Sequence, residues 1–367
     1  MKRYFIFLLM ALSLSSCHFG RMIIYNVADV NDYKKFPQLP LQKSEQPFYF
    51  AEKTVADLDT ALYPKQYIAD DKITDWKSLF AETRTTSLLV IKNDTIVYEK
   101  YFMGNDENSI FTSFSANKSF ISALVGIAVA EGKIGSVKDP ITKYLTFFKN
   151  PGFEKITIEH LLNMESGIRF RENYFNPLAE IGRYYYGRQL RKYVITLKVK
   201  EDPGVNYEYI SVNTLLLGMI IENATGVALD KYYQEKLWSP LGMEFEATLN
   251  IASKKDNMVK SYCCLNARTR DFARFGRLYL NKGNWNGKQV VPADWVQTTI
   301  TPVAKVRSSV YYKYQWRIDS QGNYWAQGLL GQYIFVNPTS KVIMVRTGKK
   351  YGSVDWPTLM AAISKNI

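Results

Sequence analysis

The period of apolar and polar positions changes along the chain. Ser87-Leu88-Leu89-Val90-Ile91 is a short apolar run, Asn93-Asp94 a turn pair, and Ile96 to Phe102 a second run, a pattern that predicts a β-hairpin. From Ser115 to Glu131 the apolar residues Phe120, Ile121, Ala123 to Val125 and Ile127 to Ala130 fill nearly every face of a helix that Gly132 closes. A helix with no polar side belongs at the centre of a fold. Helical patterns continue through Thr157 to Leu162, Val212 to Thr225 with Gly226 behind it, Leu229 to Leu237, and Arg270 to Asn281 with Gly283 behind it. Strand patterns then return at Tyr314 to Asp319, Tyr324 to Gln327, Tyr333 to Val336 and Lys341 to Arg346, predicting three or four antiparallel strands. Strands at both ends with helices between them predict an α+β fold, in which 76–110 and 285–367 supply an antiparallel sheet and 111–284 a mostly helical insertion. Residues 17–75 carry Pro37, Pro40, Pro47 and Pro64 with no sustained period and read as an extended arm.

The first sixteen residues change the picture of where the protein works. Lys2 and Arg3 precede an apolar run from Tyr4 to Leu14 that is too short to span a bilayer, followed by the small residues Ser15 and Ser16. This is the pattern of a signal peptide over 1–16. Leu14-Ser15-Ser16-Cys17 also resembles the bacterial lipobox, which implies lipidation at Cys17, export to the bacterial cell envelope and a membrane anchor. Cys263 and Cys264 are sequence neighbours, a spacing at which a disulfide is strained, and they read as small buried apolar residues.

Composition narrows the chemistry. The 367 residues are 47% hydrophobic, enough for a large core, so 76–367 reads as one folded domain. The formal charge is +13, but Lys and Arg alternate with Asp and Glu, and the densest basic stretch, Arg183 to Lys200, is full of Tyr, Leu, Ile and Val; nucleic acid is not an expected partner. With two histidines, His18 and His160, and no C-x-x-C, H-E-x-x-H, phosphate-binding glycine loop or G-x-S-x-G, the sequence predicts neither metal nor cofactor. His160 reads as a structural helix-cap or core residue.

Ser115-Ala116-Asn117-Lys118 places a hydroxyl and an amine on one face of a helix, within a turn of each other. A lysine that accepts the serine proton must be neutral, and apolar burial disfavours an ammonium. At the start of a helix, free backbone N–H groups face the serine and can hold an oxyanion. This is the chain's only Ser-x-x-Lys, and it opens its most apolar helix.

Here the sequence resembles the serine hydrolases of the class C β-lactamase and penicillin-binding type, in the branch that contains 6-aminohexanoate-dimer hydrolase. Ser115 to Lys118 resembles the first motif. Pro203-Gly204-Val-Asn-Tyr-Glu-Tyr209-Ile-Ser211-Val-Asn213 with Leu-Leu-Gly218 resembles the second, and the order continues through His160 to Gly167, Trp238 to Met243, Cys264 to Leu280 and Gly328-Leu-Leu-Gly331. The resemblance implies a β-lactamase/transpeptidase-like fold, Ser115 as acylated nucleophile, Lys118 as its proton acceptor and Tyr209 as the relay to the leaving group. It further implies oxyanion donors at Ser115 and Leu329, and a substrate-contacting tyrosine at Tyr174. Two departures stand out. Ser211 replaces the usual asparagine of the second motif, and Ala326-Gln327-Gly328 replaces Lys-Thr-Gly, which removes a cationic anchor for a β-lactam carboxylate and leaves Gln327 as a neutral partner. The expected activity is hydrolysis of a small-molecule ester or linear amide through an acyl-enzyme. A non-catalytic binding or sensor lipoprotein of the same fold, and a penicillin-binding DD-peptidase or β-lactamase, are the rival readings.

Overall fold

The computed structural model describes residues 20–21, 24, 28–53, 68–174, 176, 179–302, 304–307 and 310–367. Residues 1–16, read above as a signal peptide, and Cys17 lie outside the described residues. The arm supplies strands β1 (Gln38–Leu41) and β2 (Ala51–Glu52), followed by helix α1 (Trp76–Glu82) and the hairpin β3 (Thr85–Lys92) and β4 (Thr95–Tyr101). After β5 (Phe111–Thr112), a 3-10 turn at Phe114–Ala116 runs into α2 (Asn117–Ala130). The middle of the chain holds α3 (Ser211–Thr225), β6 (Ala247–Asn250), β7 (Leu265–Ala267) and α4 (Thr269–Leu280), then a small hairpin of β8 (Asn284–Trp285) and β9 (Lys288–Gln289). Strands β10 (Ala304–Arg307), β11 (Val310–Lys313), β12 (Trp316–Asp319), β13 (Tyr324–Gly328), β14 (Gln332–Asn337) and β15 (Val342–Gly348) and helix α5 (Trp356–Asn366) complete the chain.

Nine strands form the main sheet in the order β10-β11-β12-β13-β14-β15-β3-β4-β2, so the two ends of the chain meet where β15 pairs antiparallel with β3. Alternation across β3 assigns its side chains to two layers. Leu89 and Ile91 join the large core with α2 and α4, while Leu88 and Val90 pack with Leu79, Phe80, Leu359 and Met360 beneath α1 and α5. Helix α2 is buried from Asn117 to Ala128, as its all-apolar pattern requires, and Phe120 stacks on Phe275 of α4 at 3.6 Å between ring centroids. Removing such a ring from water is worth roughly 2–3 kcal/mol. Gly132, at φ +68, reverses the chain behind α2, and Gly226, at φ +71, does so behind α3.

Several elements differ from the sequence pattern. The C-terminal part of the sheet has six described strands rather than three or four: β10 forms the edge, and β11, Val-Tyr-Tyr-Lys, lies between β10 and β12 without a clean alternation. Tyr314 and Gln315, at φ +42 and +70, form the β11–β12 turn instead of opening a strand. The helix from Leu229 ends its α-helical part at Tyr233 and continues as a π-turn over Gln234–Trp238, with Ser239 N–H donating to Gln234 O. A second sheet, β1-β6-β7-β5, interrupts the helical part, and the arm enters both sheets, β1 beside β6 and β2 parallel to β4. Cys263 and Cys264 are buried, as expected, but they are joined in a disulfide, which corrects their reading as unpaired apolar residues; Cys264 takes the left-handed conformation, at φ +73. Among the described residues, no single helix is long and apolar enough to cross a membrane.

Candidate active site

Ser115 lies in the 3-10 turn rather than in α2 itself, one residue after Phe114, which is held at φ +43. A bulky residue in that region costs on the order of 1–3 kcal/mol, offset by the packing that surrounds it. The three-residue spacing survives the change of helix type, and Lys118 Nζ lies 2.9 Å from Ser115 Oγ. Lys118 is buried, and its nitrogen has two further neighbours, Ser211 Oγ at 3.1 Å and the carbonyl of Tyr262 at 2.8 Å. That carbonyl is fixed by Asn117, whose amide donates to the carbonyls of Ser261 (2.9 Å) and Cys263 (3.2 Å) while accepting from the Tyr233 hydroxyl. The disulfide-bonded pair thus sits in the floor of the site.

Ser211 opens α3, and Tyr209 stands two residues before it, its ring centroid 5.1 Å from Lys118 Nζ. Glu172 ties this end of α3 down. Its carboxylate accepts from Ser211 N–H (2.9 Å), from Ser211 Oγ (2.5 Å) and from the Tyr174 hydroxyl (2.5 Å). A carboxylate at a helix N-terminus satisfies free N–H groups and the helix dipole together. Burial, and then the Glu172 charge, push the Tyr174 phenol well above its ordinary range, so Tyr174 remains a neutral donor.

These contacts limit where the protons around Lys118 can go. The Tyr262 carbonyl can only accept. Ser211 commits its one hydroxyl proton to Glu172 and therefore also accepts from the lysine. Ser115 is the one neighbour with a proton to give. Lys118 Nζ lies within donating distance of all three oxygens, and a lysine that has given up one proton and donates to the first two has its lone pair toward Ser115.

On the other side, the first N–H groups of the Phe114–Ala116 turn have no partner within it. Leu329 lies just past the end of β13, in a turn where Leu330 and Gly331 have φ +64 and +86. Gly328 is required there: a Cβ would lie 2.1 Å from the Ser113 carbonyl, so only glycine lets β13 approach the Ser115 turn. Arg346 braces the far side, donating to the carbonyls of Gly331 (2.5 Å), Thr83 (3.0 Å) and Lys350 (3.0 Å). Gln327 accepts from Trp325 Nε1 at 3.3 Å.

Ser115, Ser211, Tyr174 and Leu329 line one narrow pocket with Phe114, Ile181, Tyr185, Tyr186, Tyr262 and Cys263, its cavity about 30 Å³. Its walls are apolar and aromatic, and Ala28 of the arm completes them. His160 is apart from this group: it caps its own short helix, with Nδ1 accepting from Thr157 N–H, and burial lowers its pKa. Sequence reasoning missed the part played by the Glu172 carboxylate, and the Arg317 cation beside Tyr209. Glu172 sits beside the tyrosine that the resemblance picked out, and Arg317 lies over Tyr209.

The comparisons agree with this architecture. The Beta-lactamase family profile matches residues 77–359. The 6-aminohexanoate-dimer hydrolase of Paenarthrobacter ureafaciens is 24% identical over 297 residues, covering 75% of each chain. A solved structure from Bacillus anthracis, described as a candidate 6-aminohexanoate-dimer hydrolase, superposes with a TM-score of 0.74 at 22% identity over 93% of this chain and 97% of its own. A class C β-lactamase superposes with a TM-score of 0.62 at 16% identity, over 79% of this chain and 94% of its own. These two structural likenesses establish the β-lactamase/transpeptidase-like fold. With the profile spanning most of its length, the chain belongs to the Beta-lactamase family of serine hydrolases.

Proposed function

We propose that the protein hydrolyses an ester or linear amide through an acyl-enzyme on Ser115. As Ser115 Oγ bonds to the acyl carbon, its proton passes to Lys118 Nζ and the carbonyl oxygen gains the charge, which the N–H groups of Ser115 and Leu329 hold. The bond to the leaving group then breaks, and Tyr209 relays a proton to the departing nitrogen or oxygen. Water repeats the sequence on the acyl-enzyme and frees the acid. Lys118 and Tyr209 take the acid-base roles for which this chain has no suitable histidine.

The observation that carries this reading is the placement of Lys118 Nζ: of its three oxygen neighbours one is a carbonyl, one is a hydroxyl that donates to Glu172, and the third is the Ser115 hydroxyl at 2.9 Å. The relative whose name gives 6-aminohexanoate dimer as its substrate supports an amide beside an ester. We further propose that the protein is exported and tethered to the bacterial envelope by a lipid on Cys17.

Intact-mass measurement of the purified protein after exposure to a fluorophosphonate, and separately to p-nitrophenyl acetate, tests the chemistry. The expected result is one adduct, absent in Ser115→Ala, with steady release of p-nitrophenol from the parent. Lys118→Ala alone should lose nearly as much as the double variant, since residues that act as a unit are not additive. An adduct that persists in Ser115→Ala would refute the assignment, and acylation without release would make the protein a binder rather than an enzyme.

A further inference from the structure

The arm does more than enter the two sheets. Ala28 lines the pocket that holds Ser115, and the residues around it bond to the two tyrosines beside it in that pocket, Tyr185 and Tyr186 of the short helix Glu180–Tyr186. The Tyr185 hydroxyl donates to Asp32 Oδ2 at 3.0 Å, and the Phe36 ring meets the Tyr185 ring edge-on at 5.4 Å and lies 6.3 Å from that of Tyr186. Arg21 donates to the Tyr186 carbonyl at 2.6 Å. Asp32 is buried and held from its own side as well, accepting from Asp29 N–H (3.1 Å) and Lys35 Nζ (2.7 Å). Lys260, also buried, donates to the Tyr185 carbonyl at 2.5 Å and lies 3.4 Å from the Phe36 ring centroid, two residues before Tyr262, another lining residue of the pocket. Burying a carboxylate and an ammonium is costly unless each is held in place, so these contacts fix where the arm runs.

The pocket that the arm completes is small. Its cavity of about 30 Å³ has room for about two water-sized groups beside Ser115. Tyr209, the relay to the leaving group, is not among the residues that line it, so the leaving half of a substrate points away from this cavity and the acyl half enters it. Ala28 is the arm's one contribution to the lining, and Asp32 and Phe36 hold the tyrosines beside it. The arm has a second anchor further on, where β1 pairs with β6 from Gln38 to Leu41, so a change at Ala28 or Asp32 leaves that strand pairing in place. The length of acyl chain that fits therefore depends on a segment outside the catalytic domain's own helices and sheet.

We propose that the arm segment from Ala28 to Phe36 is a specificity-determining wall that caps the acyl pocket, so the preferred substrates carry short apolar acyl groups of about two to four carbons. The proposal deepens the reading of Ser115 as nucleophile and rests on it.

The test is a series of p-nitrophenyl esters, acetate, butyrate, hexanoate and octanoate, read as kcat/KM. In the wild-type protein kcat/KM should fall by roughly tenfold or more from butyrate to hexanoate, the scale of loss for methylenes without room in a pocket. Asp32→Ala, which releases the segment from Tyr185, should raise the hexanoate-to-acetate ratio by roughly tenfold to a hundredfold, and Ala28→Leu, which fills the cavity, should lower the butyrate-to-acetate ratio by roughly tenfold. An arm that serves stability alone would lower all four esters together and move neither ratio. If Asp32→Ala does not fold, Tyr185→Phe takes its place, since it removes the same hydrogen bond and keeps the ring in the wall. A wild-type protein that prefers hexanoate or octanoate overturns the proposal, as do ratios unchanged in the variants. A second measurement does not depend on turnover: calorimetric binding of hexanamide to Ser115→Ala/Asp32→Ala should be at least tenfold tighter than to Ser115→Ala, and equal affinities overturn the wall. If Ser115 takes no acyl group from any ester, the hydrolase reading falls, and the binding measurement alone decides the wall.

Discussion

Glu172 offers the sharpest test of the proton order at Lys118, because it acts on the serine without touching it. In Glu172→Ala the Ser211 hydroxyl loses the acceptor that holds its proton at 2.5 Å and becomes free to turn that proton toward the lone pair of Lys118. Ser211 then competes with Ser115 for the lysine. The bias removed is that of a hydroxyl on a charged acceptor, about 1.5–3 kcal/mol. Acylation should therefore slow by roughly tenfold to a hundredfold. The same change strips Ser211 N–H and the Tyr174 hydroxyl of their partner and takes a negative charge from the start of α3. Stability should fall by roughly 1–3 kcal/mol, a drop of several degrees at most in Tm, which leaves the protein folded at 25 °C. The assay is the second-order rate of fluorophosphonate labelling at 25 °C, read by intact mass, with KM for p-nitrophenyl acetate measured in parallel. The labelling rate should collapse while KM moves little. Glu172→Gln, whose amide oxygen can still accept from Ser211, should be intermediate. Wild-type labelling by Glu172→Ala would refute the reasoning.

Two further expectations follow from the packing around the site. Gly328→Ala places a methyl group 2.1 Å from the Ser113 carbonyl and 3.2 Å from the Phe114 Cβ, so β13 and the Ser115 turn must separate. Overpacking of this kind costs about 1–3 kcal/mol, and because Leu329 and Ser115 stand on opposite sides of the contact, acylation should fall by much more than the loss in Tm implies; a variant with normal labelling would show that the approach is dispensable. Asp271 supplies a pH dependence. Burial, opposed by Arg274, pushes its carboxyl up to about 7, so the folded protein holds a proton that the unfolded chain releases near pH 4. The stability this contributes is present below about pH 4 and is lost as pH rises through about 7, with an upper limit of roughly 4 kcal/mol. Urea midpoints at pH 5 and pH 8 should therefore differ more for the wild-type protein than for Asp271→Asn, and parallel shifts would sink the assignment.

Much of the fold was legible because its decisive patterns are local. The run from Phe120 to Ala130, apolar but for Ser122, marked a central helix, and the strand patterns at 87–102 and 324–346 marked the two ends that meet as β3 and β15. The Ser115–Lys118 contact was legible for the same reason, since a spacing of three holds in a 3-10 turn as in an α-helix. What escaped depends on distant parts of the chain. The arm has no period because β1 and β2 borrow their pairing from β6 and β4. The disulfide joins sequence neighbours, with Cys264 at a positive φ that no composition reveals. Arg317 is one basic residue among 47, and what distinguishes it is the Tyr209 ring it lies over, a property of the folded neighbourhood alone.

Ser211 and Glu172 show how two departures can be one feature. The resemblance makes asparagine the usual residue at the position of Ser211. An asparagine could offer Lys118 its amide oxygen, an atom that never carries a proton, and so would need no helper to keep the lysine lone pair for Ser115. A serine oxygen carries a proton and can act as a pure acceptor only if something else holds it, which is what the Glu172 carboxylate does at 2.5 Å. The two positions, 39 residues apart, are thus coupled through the direction of one hydrogen. Ser211→Asn alone should gain little, because Glu172 already supplies the order. Placed in Glu172→Ala, the same change should recover most of the lost labelling rate, giving a coupling between the two sites of about 1–3 kcal/mol in the double-mutant cycle. Additive effects would mean that Glu172 serves only the stability of α3, and that the proton order at Lys118 is set elsewhere.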